Sequence, residues 1–285
     1  MFDQHEPGRL CRLLHGLPSG VHADLSRRSP EPGLPGRLRP AAAAWVFRFA
    51  VTLMMAASPA WAAEGLPTEA GADGPAQTAY APQKLPAPVV IVISGQSGPT
   101  SYQSYAAALA DLGYYTVLLA GRDILNPGKD GPVNLRKAIA RAQQAPQALP
   151  GKVAVVGFSL GGGGALVHAV GWPDQVSMVV AYYPFTSFKA PPTTLVKNFR
   201  VPVLMLAAEL DRYNNCCLID AAQAIAAAAK DSGLDFELVV YPQANHGFNL
   251  QTGAAGEPVK AYRAGDSADA WRRTVDMLGK HQALK

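Results

Sequence analysis

The sequence is poor in cysteine, with three cysteines among its 285 residues. They are Cys11 and the adjacent pair Cys216 and Cys217. Cys11 lies in the predicted leader, and adjacent cysteines cannot join distant segments, so a disulfide-stapled scaffold is excluded for the mature protein. We expect the pair to be buried or half-buried thiols rather than a vicinal disulfide. No spacing of Cys and His suits a metal ion, and no phosphate loop or dinucleotide fingerprint is convincing, so neither metal nor cofactor is expected.

Charged residues are also few, at 16% of the chain, and they are unevenly spread. Residues 1–62 carry seven of the 25 basic residues but only four of the 21 acidic ones, so most of the net charge of +4 lies there. The remainder is nearly balanced. The charge therefore gives no reason to expect a nucleic acid or an anionic membrane as partner.

Long apolar runs are lacking, and the candidate nearest to one is residues 49–63, an uncharged stretch of 15 residues. A membrane-spanning helix needs ~20 residues, so an anchor is disfavoured. Arginines precede this stretch, and Ala60 and Ala62 supply the small residues that signal peptidase requires. We therefore expect cleavage after Ala62 and an exported protein, periplasmic or secreted, without stable membrane association.

Three regions follow from this pattern. Residues 1–62 are predicted to be an N-terminal extension plus a cleavable signal peptide. Residues 63–87 contain repeated prolines and are predicted to be a flexible lead-in. Residues 88–285 alternate apolar strand patterns with helical ones, which indicates one α/β catalytic domain built on a mostly parallel sheet with helices on both faces. About six core strands are predicted, at residues 88–94, 114–120, 152–156, 176–183, 201–208 and 236–241.

The link between the fourth and fifth predicted strands, residues 184–200, is too short for a helical cap domain. An open, shallow site is therefore expected. Aromatic residues near the predicted strand ends are candidates to line this site, although each one is individually more often a core or surface residue. They are Tyr182, Tyr183, Phe185, Phe188, Tyr213 and Phe248.

The pentapeptide Gly-Phe-Ser-Leu-Gly at residues 157–161 stands between an apolar strand pattern and a helix rich in small residues. A serine at such a tight strand–turn–helix corner has a strained backbone, and flanking glycines remove side chains that would collide. Its hydroxyl would project above the sheet edge as a nucleophile. The alternative is an ordinary glycine-rich turn, so Ser159 needs partners before it indicates catalysis.

Candidate partners follow later strands in the order acid, then histidine. Asp211 and Glu209 follow the strand at 201–208, and His246 follows the strand at 236–241. His168 falls inside the helix after Ser159 and His281 in the C-terminal tail, so His246 is the predicted base. Asp211 is preferred over Glu209 because it lies past the strand end, where its side chain can turn toward a neighbouring loop. The predicted triad is Ser159, Asp211 and His246.

Two backbone N–H groups are candidate donors to a developing oxyanion. The Leu160 amide opens the helix after Ser159. The second is expected from the glycine-rich turn after the first core strand, at Gln96, with Ser97 as the alternative.

At these residues the sequence resembles the α/β-hydrolase superfamily and, more narrowly, its dienelactone-hydrolase-type members. The resemblance covers about residues 85–281 and depends on Gly-Phe-Ser-Leu-Gly-Gly at 157–162, Ala-Glu-Leu-Asp at 208–211 and Asn-His-Gly-Phe at 245–248. It implies the α/β-hydrolase fold. Two positions differ from the usual pattern: Ser159 stands where dienelactone hydrolases usually carry cysteine, and Ser94-Gly95 where many superfamily members have His-Gly.

These observations predict a cofactor-free serine hydrolase that cleaves a small-molecule carboxylic ester or lactone through an acyl-enzyme. The same triad would also serve acyl transfer or peptide hydrolysis, because the pocket chooses the acceptor. A non-catalytic binding protein on a hydrolase scaffold is the remaining alternative. The sequence does not indicate the oligomeric state.

Overall fold

The computed structural model of the chain describes residues 65–68, 70, 71 and 74–284. The predicted extension, signal peptide and cleavage after Ala62 lie outside these residues. Within the described part of the chain, no helix has both the length and the apolar character needed to cross a membrane.

Eight strands and seven α-helices make up the described part of the chain. The strands are β1 Gly65–Thr68, β2 Gln77–Tyr80, β3 Val89–Ile93, β4 Tyr115–Leu119, β5 Val153–Phe158, β6 Val176–Tyr182, β7 Val203–Ala208 and β8 Phe236–Tyr241. The helices are α1 Gln103–Asp111, α2 Gly121–Ile124, α3 Gly131–Gln144, α4 Leu160–Val167, α5 Pro192–Leu195, α6 Ile219–Asp231 and α7 Ala264–His281.

The strands form one sheet in the order β1-β2-β4-β3-β5-β6-β7-β8. Strands β3 to β8 pair in parallel, as the six predicted core strands require. Strands β1 and β2 are antiparallel additions at the β4 edge. The mostly parallel α/β sheet with helices on both faces is therefore confirmed, with eight strands rather than about six.

The prediction that residues 63–87 are a flexible lead-in is wrong for the parts that form β1 and β2. Gln77–Tyr80 pairs with β4 and buries its first and last residues. Four-residue strands at a sheet edge are too short to produce a clear periodic pattern between prolines. Their regular structure comes from pairing with β4, which local sequence does not reveal.

Each core strand alternates its side chains between two apolar layers. In β3, Val89, Ile91 and Ile93 face the layer that contains α3, α4 and α6, whereas Val90 and Val92 face α1 and α7. Burial on both faces explains why the strand sequences are almost continuously apolar. Removing a residue such as Ile91, which is 0% exposed, from water contributes roughly 1.5–3 kcal/mol.

The connection from β6 to β7 contains only the four-residue helix α5 and a single 3-10 turn, at Val196–Asn198. No cap domain is inserted there, as the short link predicted. Helix α6 begins at Ile219, so Cys216 and Cys217 lie before it, in the turn that follows β7.

Candidate active site

Ser159 lies between β5 and α4 in a backbone conformation that L-residues rarely adopt. Its φ is 50° and its ψ is −116°. Three backbone hydrogen bonds hold the turn: the Ser159 N–H donates to the Tyr182 carbonyl, and the Ser159 carbonyl accepts from Gly163 and Phe185. Strain of this kind persists only where the surroundings over-determine it, and here it fixes the direction of the serine side chain.

The two glycines of the pentapeptide are required by close backbone packing. A Cβ on Gly157 would lie 2.5 Å from the Gly161 carbonyl oxygen. A Cβ on Gly161 would lie 2.5 Å from the Ser94 carbonyl oxygen and closer still to that of Ile93. The glycines thus allow α4 to approach both its own strand and the end of β3, which brings the turn after β3 beside Ser159.

His246, on the loop after β8, bridges the serine and the acid. Its Nε2 lies 2.9 Å from Ser159 Oγ, and its Nδ1 lies 2.6 Å from Asp211 Oδ2. Asp211 is completely buried, and its second carboxylate oxygen accepts the Tyr213 backbone N–H at 3.0 Å. The structure therefore brings together the three residues that the sequence grouped, in a continuous hydrogen-bonded series.

The alternatives considered for the acid and the base lie elsewhere. Glu209 is exposed, and its backbone N–H pairs with the Tyr241 carbonyl at the end of β8. His168 caps the C-terminus of α4, where burial lowers its pKa. His281 is the last residue of α7. Neither histidine is hydrogen-bonded to Ser159.

The two candidate oxyanion donors flank the serine. Leu160 is the first residue of α4, so its N–H belongs to the unpaired first turn. Gln96 lies in the turn closed by the Gly98 N–H to Gly95 carbonyl hydrogen bond, and a Cβ on Gly95 would be 3.3 Å from Ser159 Cβ. Among the described residues, neither the Leu160 nor the Gln96 N–H has a hydrogen-bond acceptor.

Two tyrosines bracket the His246 ring. The Tyr213 ring stacks on it with centroids 4.5 Å apart and an interplanar angle of 8°. The Tyr183 ring meets its edge at 4.8 Å. Tyr213 is 45% exposed whereas Tyr183 is 1% exposed, so the histidine contacts one surface ring and one buried ring.

The buried Tyr183, which contacts the histidine ring, belongs to a network of hydrogen-bonded side chains. The Tyr183 hydroxyl donates to Asn249 Oδ1 at 2.7 Å and interacts with the Tyr102 hydroxyl, which also contacts Ser97 and the Gly95 backbone. Burial raises the pKa of both tyrosines, so their hydroxyls stay protonated at neutral pH. The sequence missed Tyr102 and Asn249, because neither occupies a recognisable motif.

The remaining predicted lining aromatics divide into two groups. Tyr182 and Phe248 are completely buried and belong to the core layer beneath the site. Phe185 and Phe188 are only partly buried and pack edge to face with centroids 5.5 Å apart. The backbone N–H of Phe185 donates to the Ser159 carbonyl, which ties this pair to the serine turn.

The expectation that Cys216 and Cys217 are thiols is wrong in this structure, where they form a vicinal disulfide. The pair follows a sharp turn in which Asn214 and Asn215 both have positive φ. The disulfide also lies beside the triad, since its sulfur atoms and a ring nitrogen of His246 are all within 4.8 Å of one another.

A model of the dienelactone hydrolase family matches residues 119–282, which include Ser159, Asp211 and His246. The chain belongs to the dienelactone hydrolase family. It is therefore a hydrolase of the α/β-hydrolase fold. No curated protein matches the sequence significantly.

Solved structures share the fold at low sequence identity. A dienelactone hydrolase-like promiscuous phosphotriesterase from metagenomic libraries is 18% identical, with a TM-score of 0.62, and the alignment covers 77% of this chain and 99% of that one. Esterase 2 of Thermogutta terrifontis is 15% identical over 78% and 96% of the two chains, with a TM-score of 0.59. An acylaminoacyl peptidase of Pyrococcus horikoshii is 14% identical with a TM-score of 0.57, over 77% of this chain but 41% of that one.

Proposed function

We propose that this dienelactone hydrolase family member is a serine hydrolase that cleaves carboxylic esters or lactones through an acyl-enzyme. The observation that carries the proposal is the series of hydrogen bonds from Ser159 Oγ through His246 to Asp211, at 2.9 and 2.6 Å. A serine hydroxyl is a weak nucleophile until a base removes its proton, and such a series is the arrangement that does so.

In the proposed mechanism, Asp211 accepts the Nδ1–H of His246, which leaves Nε2 with a free lone pair facing Ser159. His246 removes the hydroxyl proton as Ser159 Oγ attacks the carbonyl carbon. The proton then passes to the leaving alkoxide, and water repeats the attack on the acyl-enzyme. Asp211 also stabilises the imidazolium that forms at each step, because its carboxylate is buried and hydrogen-bonded.

The oxyanion of each tetrahedral intermediate would be stabilised by the Leu160 and Gln96 N–H groups. Two features support this assignment: both groups lack acceptors among the described residues, and both flank Ser159. A donor that is already oriented costs no reorganisation during the reaction, and losing one such donor typically costs ~10²–10³ in kcat.

No cap domain is inserted between β6 and β7, which agrees with a substrate that is small or has an accessible ester group. Esterases and a promiscuous phosphotriesterase are among the proteins with this fold, which agrees with attack on a carbonyl or a similar electrophile. The proposed substrate class is therefore a small-molecule ester or lactone.

Kinetics on a panel of short acyl esters, lactones and anilides test this proposal. The wild-type protein should hydrolyse esters or lactones faster than the anilides, and Ser159→Ala should lose several orders of magnitude in kcat. Ser104→Ala is a matched control, because Ser104 is exposed on α1. Retention of near wild-type ester hydrolysis by Ser159→Ala would refute the mechanism, and a preference for anilides would indicate a peptidase.

We also propose that the protein is exported and cleaved after Ala62. The support is the short apolar run followed by Ala60 and Ala62 in the sequence. N-terminal sequencing of the exported protein should give Ala63 as the first residue. A start at Met1, or retention in the membrane fraction, would contradict this proposal.

A further inference from the structure

The disulfide Cys216–Cys217 lies where two loops meet beside His246. The Cys216 carbonyl accepts the backbone N–H groups of Thr186 and Ser187, at 2.8 and 3.1 Å, from the loop after β6. These are backbone contacts, so they do not depend on the oxidation state of the sulfur atoms. We therefore expect the backbone at Cys216 to stay next to the histidine after the disulfide is reduced.

The proposed mechanism gives these sulfur atoms no role. As thiolates, however, they would be metal ligands, and the adjacent imidazole is a metal ligand too. Both sulfur atoms and a His246 ring nitrogen lie within 4.8 Å of one another. Zinc binds thiolate at ~2.3 Å and imidazole at ~2.0–2.1 Å, so its ligand atoms lie roughly 3.5–4 Å apart. The ring nitrogen therefore lies at most about 1 Å beyond that spacing from each sulfur atom, and the two sulfur atoms can move apart once the bond between them is reduced. In the disulfide, however, the sulfur atoms are not thiolates and do not ligate.

We propose that reduction of Cys216–Cys217 creates a binding site for a thiophilic divalent cation, Zn²⁺ or Cd²⁺, with His246 as the third ligand. A dithiol reductant supplies two electrons and two protons, which yields two cysteine thiols and the disulfide of the reductant. The cation then displaces both thiol protons and binds the two thiolates. Soft sulfur ligands with one imidazole favour these ions over Mg²⁺ and Ca²⁺, which prefer oxygen.

Occupation of the site should inhibit hydrolysis, because the cation would take one ring nitrogen of His246 from its catalytic partner, either Nε2 from Ser159 or Nδ1 from Asp211. This consequence rests on the proposed function, since it takes His246 to be the base. The binding itself does not, so it can be measured in a protein that has no activity. The sequence concealed the site because Cys216 and Cys217 are far from His246 along the chain.

Cadmium titration of the full-length chain tests the site directly. Cys11→Ser is present in every sample, so the pair is the sole source of thiol. The protein is reduced with dithiothreitol, desalted without oxygen and titrated with Cd²⁺, and binding is followed by equilibrium dialysis and by the ultraviolet sulfur-to-cadmium charge-transfer absorption. The same titration is made on unreduced protein, on Cys216→Ser/Cys217→Ser, on His246→Ala and on Ser159→Ala.

Reduced protein should bind one Cd²⁺ per chain with the charge-transfer absorption, and reduced Ser159→Ala should bind it equally. Unreduced protein and the double serine variant should lack the absorption. His246→Ala should weaken binding at least about tenfold, the lower limit of what losing even a second-shell partner costs. Absence of Cd²⁺ binding by reduced protein, equal binding before and after reduction, or undiminished affinity in His246→Ala would each overturn the proposal.

Ester hydrolysis by the reduced protein should fall as Cd²⁺ is added and recover with excess chelator. If Cd²⁺ binds as expected but the protein hydrolyses no ester, whether reduced or unreduced, the proposed function fails while the cation site stands. If the protein hydrolyses esters but Cd²⁺ does not bind, the cation site fails while the proposed function stands.

Discussion

The turn at Ser159 and the loop at Asp211 both follow a central parallel strand, but different forces hold them. The turn at Ser159 is fixed by backbone against backbone, since Gly157 and Gly161 leave no room for a Cβ. The loop at residues 209–217 has backbone hydrogen bonds to its neighbours, and side chains hold it as well: the Asp211 carboxylate, the stacked Tyr213 ring and the Cys216–Cys217 disulfide.

This difference has a consequence for how each region tolerates change. Where backbone packing determines a conformation, only glycine satisfies it, and a substitution should damage folding. Where side chains determine a conformation, several residues share the task, and a substitution should damage function in proportion to the strength of the interaction that it removes. Substitutions in the two regions should therefore differ in kind, and the largest effect is expected at the buried acid.

Replacing the buried acid of the loop at residues 209–217 should reduce activity more than any other change described below. Asp211→Asn should lower kcat by roughly 10⁴, because an amide N–H directed at Nδ1 imposes the wrong histidine tautomer. Glu209→Gln is the matched control and should have a mild effect, since Glu209 is exposed. Steady-state kinetics on a model ester measure both variants, and the reverse ranking would assign the acid role to Glu209.

A methyl group at Gly161, in the turn at Ser159, should lower the stability of the protein. Gly161→Ala places a Cβ against the Ile93 and Ser94 carbonyl oxygens, and overpacking of this kind costs about 1–3 kcal/mol or more. Gly279→Ala is the control, because Gly279 lies in α7 with no atom within 4 Å of its Cβ position. This exposed helical site should gain up to ~1 kcal/mol.

Urea unfolding followed by circular dichroism gives the stability change of Gly161→Ala and of Gly279→Ala from the shift in the unfolding midpoint. Wild-type stability for Gly161→Ala would show that the turn adapts, and the contrast between the regions would disappear.

The ring that stacks on His246 should have a moderate effect on activity. Tyr213→Ala removes the stack but keeps the backbone N–H that donates to Asp211, so kcat/KM should fall about 2- to 10-fold, in line with ~0.5–1.5 kcal/mol for an aromatic pair. Tyr213→Phe retains the ring and should stay within about twofold of wild type. Equal losses in the two variants would mean that the hydroxyl, not the stack, matters.

The smallest effect is expected at His168, at the end of the helix that Ser159 begins. Burial lowers the pKa of His168 below its usual value of 6.5, so between the two values the unfolded chain binds more protons than the folded one. Its contribution to stability is therefore present above the unfolded pKa and declines as pH falls toward the folded one. His168→Gln should remove this component.

Unfolding free energies measured from about pH 5 to 8 check the sign, across the range where a histidine titrates. The advantage of wild type over His168→Gln should shrink as pH falls. A difference that does not change with pH would contradict a lowered pKa.

The same contrast explains what the sequence could and could not predict. The sequence predicts strands β3 to β8 and the turn at Ser159, because buried strands accept mainly apolar residues and the close-packed positions of the turn accept only glycine. Strands β1 and β2 were missed because their pairing with β4, rather than their own residues, creates them.

The side-chain contacts around His246 were only partly predictable. Chain order brought Asp211 and His246 together with Ser159, and Tyr213 was a candidate for the site. The disulfide was not expected, because two adjacent cysteines carry no sequence signal that says whether their sulfur atoms are bonded. The Tyr183 contact with Asn249 was not expected either, because it depends on how separate loops meet in three dimensions. No local pattern records such a meeting.

Labelling with a fluorophosphonate, followed by intact mass and peptide mapping, tests the central claim most directly, that Ser159 is a nucleophile activated by His246. Wild-type protein should gain one adduct, located on Ser159. Ser159→Ala should gain none, and His246→Ala should react far more slowly. An adduct at any other residue, or no adduct on folded wild-type protein, would contradict the account.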